Sequence, residues 1–254
     1  MKFTLRFLLC LLSIGLVHAE EYLAKFDGLL GSPQAKISNC ISNAYFFLPY
    51  NPTIVEIGGY EGELSHYMAK ASPKGRVIVF EPNPRAFERL LQLSNNYSNI
   101  LPINSAVHSY NGTAKLYLCH GIYADEVSLE PWSSLLPEQD KPSKYFKGPV
   151  LEVPCVVLDD WCRQNQIDHI DMLRVDVEGL ELPILQSSPE ILKTVLVVST
   201  KTHFTAFRKG TTQFPELKKF LESAGFEMLS HWYREGTHGE ALFVKKYMYD
   251  ALFR

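Results

Sequence analysis

The sequence is short of several features that would decide its class at once. Of its five cysteines, no two stand as C-x-x-C, so a structural zinc site is not expected. There is no basic cluster and the net charge is −3, which gives no reason to expect nucleic acid or an anionic membrane surface as a partner. No internal repeat and no low-complexity tract occurs. The strongest apolar run, Phe7 to Val17, is too short for a comfortable transmembrane span. Most relevant to function, the G-x-G-x-x-G fingerprint of a dinucleotide fold is missing.

What the N-terminus does contain is Lys2 and Arg6, the apolar run, and then Val17-His18-Ala19. That order reads as a secretory signal peptide over residues 1–19, cut after Ala19, with an uncleaved anchor as the alternative. Export to a periplasmic, secreted or lumenal location follows as an expectation, with no stable membrane span left after cleavage. Cys40, Cys119, Cys155 and Cys162 would then be free to form two disulfides. The plainer reading, four buried small hydrophobes, is preferred. Two sequons, Asn96-Tyr97-Ser98 and Asn111-Gly112-Thr113, matter only in a glycosylating host.

Residues 20–51 read as a helical lead-in, with Leu23, Phe26, Leu29 and Leu30 on one face. From there to residue 254 short apolar runs alternate with helical stretches. "TIVEIGG", "RVIVFEP", "NILPINSAV", "IDMLRVDVEG" and "TVLVVST" predict strands. Their continuous apolar character predicts a mostly parallel sheet covered by helices on both faces, an α/β domain. "GTAKLYLC" alternates and reads as a more exposed strand. Asp159 is placed to help start the helix after "LEVPCVV", and "LELPILQSSPEILK" reads as helix interrupted by Pro183 and Pro189. "FEMLSHWYR" and "EALFVKKY" predict a terminal antiparallel hairpin. Between 120 and 150 the rhythm fails; that stretch, with Tyr123, Trp132, Tyr145 and Phe146, reads as an irregular insertion and the place for acceptor contacts.

In an open parallel sheet, ligands bind outside the carboxyl ends of the strands where the strand order reverses. The first such end is "VEIGGYEG", with Glu56, Gly58, Gly59 and Gly62. A carboxylate two residues before the first glycine would crowd a pyrophosphate with like charge but suits a cationic ligand. Glu81 ends the second strand and can accept two hydrogen bonds from a ribose diol. Together Glu56, Glu81 and Asp176 make a set of strand-end acids that favours S-adenosylmethionine, which has a sulfonium and an ammonium and no phosphate. The competing structural roles are a carboxylate tying down loop amides for Glu56 and a helix cap for Glu81.

Taken in order, "VEIGGYEG", "VIVFEPNP", "INSAV", "VVLDDW" and "IDMLRVDVEGLELPIL" resemble the FkbM-type methyltransferases over roughly residues 52–246. The resemblance implies a Rossmann-like class I methyltransferase fold and S-adenosylmethionine-dependent O-methylation of a small molecule or sugar. By that resemblance Glu56, Gly58, Gly59 and Gly62 form the first cofactor motif and Glu81 holds the ribose. Asn104, Ser105 and Ala106 lie beside the adenine, and Asp176 lies near the transferred methyl with Glu178 and Gly179 behind it. Three departures stand out: Gly59-Tyr60 where the family usually has Ala-Asn, Arg174 where Lys is usual, and Thr200 where an acid usually precedes a nearby His. Asp176 and His203 are the candidate bases, with a surface-loop histidine as the plain reading of His203. The other functions weighed are an exported binding protein on a decayed methyltransferase scaffold and, less favoured, a nicotinamide-dependent oxidoreductase.

Overall fold

A computed structural model describes residues 41–253 except 120–121, 124–126, 129, 140–147 and 234–235. The expected signal segment and Cys40 lie outside the described residues.

Five strands run parallel: β1 (Thr53–Ile57), β2 (Arg76–Phe80), β3 (Ile100–Ile103), β9 (Met172–Val175) and β10 (Val197–His203). With β11 (Phe226–Tyr233) and β12 (His238–Lys245) they form a seven-stranded sheet in the order β11-β12-β10-β9-β1-β2-β3. The last two strands are the expected hairpin, antiparallel to each other and, through β12, to β10. Every residue of β1 is buried, as two-sided coverage requires. On one face Ile57, Phe80, Leu173 and Val198 pack with Leu158, Trp161, Ile184 and Leu217. On the other, Ile54, Val77, Met172 and Val197 pack with Tyr45, Phe47, Met68 and Leu90.

The first two helices follow their sequence signals. α1 (Glu63–Ala71) comes straight after the glycine turn. α2 (Pro84–Ser94) starts with Pro84 at its first position and is capped by the Asn83 side chain, which accepts from the Arg85 amide at 3.2 Å.

Four local readings are corrected. "NILPINSAV" is not one strand. The Ser105 amide turns back to the Ile103 carbonyl at 2.9 Å, and Ala106 and Val107 form β4, which joins a separate sheet. That sheet has the order β4-β8-β5, with β5 at Gly112–Tyr117 and β8 at Val150–Val156. The 120–150 stretch is not wholly irregular: β6 (Ile122–Tyr123) pairs with β7 (Val127–Ser128), and a 3-10 turn covers Glu130–Trp132. "LELPILQSSPEILK" breaks only once. Pro183 stays in the first turn of α4 (Glu181–Gln186), where its missing N–H is not needed, and Pro189 opens α5 (Pro189–Thr194). Finally, the C-terminal strand ends at Lys245. Residues Lys246–Phe253 form a helix, packing Met248, Tyr249 and Leu252 on the second core.

Asp159 lies in the first turn of α3 (Leu158–Gln164) but does not cap it. Its carboxylate accepts from the Glu190 and Ile191 amides at 2.9 and 2.8 Å, so it caps α5, three elements further on. Asp159→Ala is therefore expected to cost about 1 kcal/mol, measured by chemical denaturation, with the loss traced to α5 by amide exchange.

Cys119, Cys155 and Cys162 are free and buried. Of the two sequons, Asn96 is exposed, whereas the Asn111 amide group is engaged by Asp160 and by the Val157 N–H. Among the described residues no helix is long and apolar enough to cross a membrane, and no His, Cys, Asp and Glu group is placed to hold a metal ion.

Candidate functional site

The strand order reverses at β1, which has β2 on one side and β9 on the other. The cleft opens there, at the carboxyl ends of β1, β2, β9 and β10, as the sheet topology requires. Gly58 turns the chain out of β1 with φ +86°, and a Cβ there would lie 1.9 Å from the Asp176 carbonyl oxygen. No side chain fits. Gly59 and Gly62 serve packing instead: a Cβ on either would meet Val79 of β2 or Leu90 and Leu93 of α2. Neither lines the cleft.

Tyr60 has φ +50°, a left-handed conformation that strains a bulky residue. That geometry aims its amide at Glu81 Oε2, 2.7 Å away. The second carboxylate oxygen of Glu81 accepts from the Asn83 amide at 2.8 Å. Burial nevertheless pushes the Glu81 carboxyl up to about 7, against both amide bonds. Glu81 lines the cleft with Ser105, Ala106, Asp176 and Glu178, as the sequence suggests. Asn104 does not: its amide group donates to the Glu81 carbonyl at 2.9 Å and ties the ends of β2 and β3 together.

Glu56 is also outside the cleft lining. Its Cα is paired with that of Arg174 across the β1–β9 ladder, and both side chains are almost wholly buried. One carboxylate oxygen meets Arg174 Nη1 at 3.2 Å and the other accepts from Ser65 Oγ at 2.5 Å. The residue that the sequence singles out for the cofactor motif therefore sits in a buried ion network. Arg174 Nη2 also donates to Asp176 at 2.9 Å. Its Nε lies 3.9 Å from Glu240, which in turn accepts from Ser199 at 2.7 Å. Burial pushes Glu56 up to about 7, with Arg174 and Ser65 working the other way.

The network reaches the cleft through Asp176 and Lys201. Lys201 Nζ lies 3.4 Å from Asp176 and bonds Glu178. Burial opposes charge on Asp176, yet Lys201 and Arg174 overcome it and hold the carboxyl well below the usual range. Glu178, which bonds Lys201, is pushed up by burial. Lys201 is not among the residues that the sequence singles out; a lysine directly after the apolar run "TVLVVST" was the signal there. Thr200, where the family's acid was sought, is buried one residue earlier, with its hydroxyl on a backbone carbonyl.

His203 is neither a cleft residue nor a surface-loop residue. It ends β10, is 2% exposed, and lies 3.6 Å from Glu181. It is not among the residues that line the cleft.

The insertion supplies one wall, from Glu130 to Leu135. Glu130 accepts from Asn83 Nδ2 and Arg89 Nη2, both at 2.9 Å, and from the Tyr60 hydroxyl at 3.4 Å. Ser134 donates to the Val177 and Glu178 carbonyls, at 3.3 and 3.2 Å. The buried Arg208 holds the Trp132 and Leu136 carbonyls at 2.7 and 2.8 Å. It also touches Cys119 Sγ, whose thiol burial pushes up to about 12, so this is no nucleophile. Trp132 lines the cleft; Tyr145 and Phe146 lie outside the described residues.

The Methyltransferase FkbM domain model matches residues 55–228. The chain belongs to the FkbM methyltransferase family. Among curated relatives it is 25% identical to "2-O-methyltransferase NoeI" of Sinorhizobium fredii, over 76% of this chain and 79% of that one. It is 26% identical to "Methyltransferase sdnD" of Sordaria araneosa, over 71% and 76% respectively. A crystal structure of Methyltransferase FkbM from Methylobacillus flagellatus is similar over 88% of this chain and 59% of that chain, with 13% identity and a TM-score of 0.49.

Within this FkbM fold, the raised carboxyls of Glu56 and Glu81 dictate an unusual pH response. Each keeps a proton in the folded state that the unfolded chain gives up above its ordinary value of 4.5. Stability therefore falls as pH rises from about 4.5 to about 7, by about 3 kcal/mol for each carboxyl. Asp176, held low, contributes a constant term over that window. Chemical denaturation of the ligand-free protein should show it more stable at pH 5.5 than at pH 8.

Proposed function

We propose that this FkbM-family chain transfers a methyl group from S-adenosylmethionine to a hydroxyl oxygen of a small molecule or sugar. The observation that carries the reading is the charge of the cleft. Glu81, Glu130, Asp176 and Glu178 line it, against Lys201 as the cation in that lining. A pyrophosphate would meet this excess of carboxylates unfavourably, which speaks against a nicotinamide dinucleotide; a sulfonium and an amino group would be attracted.

S-adenosylmethionine supplies an already activated methyl group, so the protein's task is placement and exclusion of water. Glu81, fixed by two backbone amides, presents its remaining lone pairs to a ribose diol. Phe80, Ala106, Leu116 and Leu135 give an apolar slot suited to adenine. Asp176, kept ionised by two cations, is a weak proton acceptor and serves to orient and to attract positive charge. Glu178 is the better holder of the hydroxyl proton, because a base works best when its affinity for protons is raised toward the working pH. The relative named as a 2-O-methyltransferase supports an oxygen acceptor.

Thr200 is not among the residues lining the cleft, which weakens the case that its departure from the family pattern makes for the decayed-scaffold alternative. Export remains part of the proposal: the mature chain would begin at Glu20 and act outside the cytosol. The deciding experiment is calorimetry with S-adenosylmethionine, and NADH as control. Binding of the first alone supports the reading; no binding at millimolar S-adenosylmethionine would sink it.

A further inference from the structure

The turn Asp176–Gly179 carries two of the cleft's acids in a conformation that does not hold itself. Glu178 has φ +58° and Gly179 φ +123°, and a left-handed glutamate is held there only if its surroundings demand it. From the insertion, Ser134 fixes the carbonyls of Val177 and Glu178. From below, Glu181 Oε1 accepts from the Val177 amide at 3.3 Å and from the Gly179 amide at 3.1 Å.

Glu181 is fully buried. The cationic group in contact with it among the described residues is His203, with Nε2 3.6 Å from the same Oε1. Neither ring nitrogen of His203 has a hydrogen-bond partner among the described residues, and Glu181 Oε2 has none either. Two buried polar groups so short of other partners face each other directly behind the turn. We propose that His203 and Glu181 are a positioning pair that holds the Asp176–Gly179 turn in the shape that receives the ligand.

The pair acts through electrostatics. The groups around His203 are Glu181 from α4, Asp176 and Glu178 from the turn, Lys201 from its own strand, and His238 as its cross-strand partner on β12. Burial works against a charged imidazole, but Glu181 outweighs it and raises the proton affinity of His203. The sign follows: the support is complete when His203 is protonated and is lost as pH rises through its titration. A neutral imidazole leaves Glu181 a buried carboxylate without its counter-charge, and its grip on the two amides loosens.

The test reads the turn and the ligand separately, and only the second readout rests on the proposed methyl donor. In the wild-type protein, amide exchange at Val177 and Gly179, corrected for intrinsic rates, should speed up about tenfold as the His203 imidazole signal titrates in NMR. His203→Gln should abolish that step. S-adenosylmethionine should bind about fivefold more weakly to His203→Gln than to wild type at pH 6, and equally at pH 9. Exchange independent of the His203 titration in the wild type would overturn the proposal, even if the variant failed to fold. So would a difference in affinity that is the same at both pH values. Protection that follows His203 while S-adenosylmethionine fails to bind would support the positioning pair and remove the methyl-donor reading.

Discussion

Glu81→Ala is expected to weaken S-adenosylmethionine binding by about a hundredfold or more while leaving the protein folded. Two charge-assisted hydrogen bonds to a ribose diol contribute about 3–6 kcal/mol together, and no described neighbour replaces them: Asp176 and Glu178 are committed to Lys201 and Arg174. The fold survives because the loss of amide acceptors for Tyr60 and Asn83, about 1 kcal/mol each, is offset by relief of a carboxylate that burial already disfavours. Melting at pH 8 should therefore be unchanged or slightly higher. Glu81→Gln should fall between, since its NH2 would face the Tyr60 N–H. Titration calorimetry at pH 8 reads the affinity; a change of less than about threefold for Glu81→Ala would remove Glu81 from the ribose site.

The sequence was most informative where one residue's neighbours are its own strand and turn. The apolar runs of β1, β2, β9 and β10, the glycine turn, the acids at strand ends and the C-terminal hairpin are all local patterns, and all are in the fold. Misreadings concentrate where a side chain is used by an element far away in the chain. Glu56 reads from the sequence as a strand-end acid facing a ligand, and the β1–β9 register puts it opposite Arg174, 118 positions on. Asp159 looks like a cap for its own helix, and caps α5 instead. His203 lies in a stretch that reads as the start of a loop, because "STKTH" lacks the apolar character of a buried strand. The polar residues are buried there because they answer one another across β9, β10 and β12. Lys201 is cross-strand to Glu240 and in contact with Glu178.

That same dependence on distant partners makes Arg174 the most sensitive position outside the cleft. Arg174→Met should destabilise the protein by about 3–5 kcal/mol at pH 8, because it leaves Glu56 and Glu240 buried without their shared cation. The loss should shrink at pH 5.5. Glu56, already pushed up to about 7 beside an intact Arg174, takes a proton still more readily once the arginine is gone, and a neutral carboxyl needs no counter-charge. Glu56→Gln combined with Arg174→Met should accordingly be more stable than Arg174→Met alone, a non-additivity expected for residues in contact. Arg174→Lys restores the residue usual in the family but not the planar fork, and one ammonium cannot span Glu56, Asp176 and Glu240. It should recover part of the stability, and leave Asp176 with Lys201 as its nearest cation. Asp176 is the residue through which this buried network reaches the cleft. Denaturation curves of the three variants at both pH values test the network, and the pH dependence separates it from a simple packing defect, which would cost the same at each.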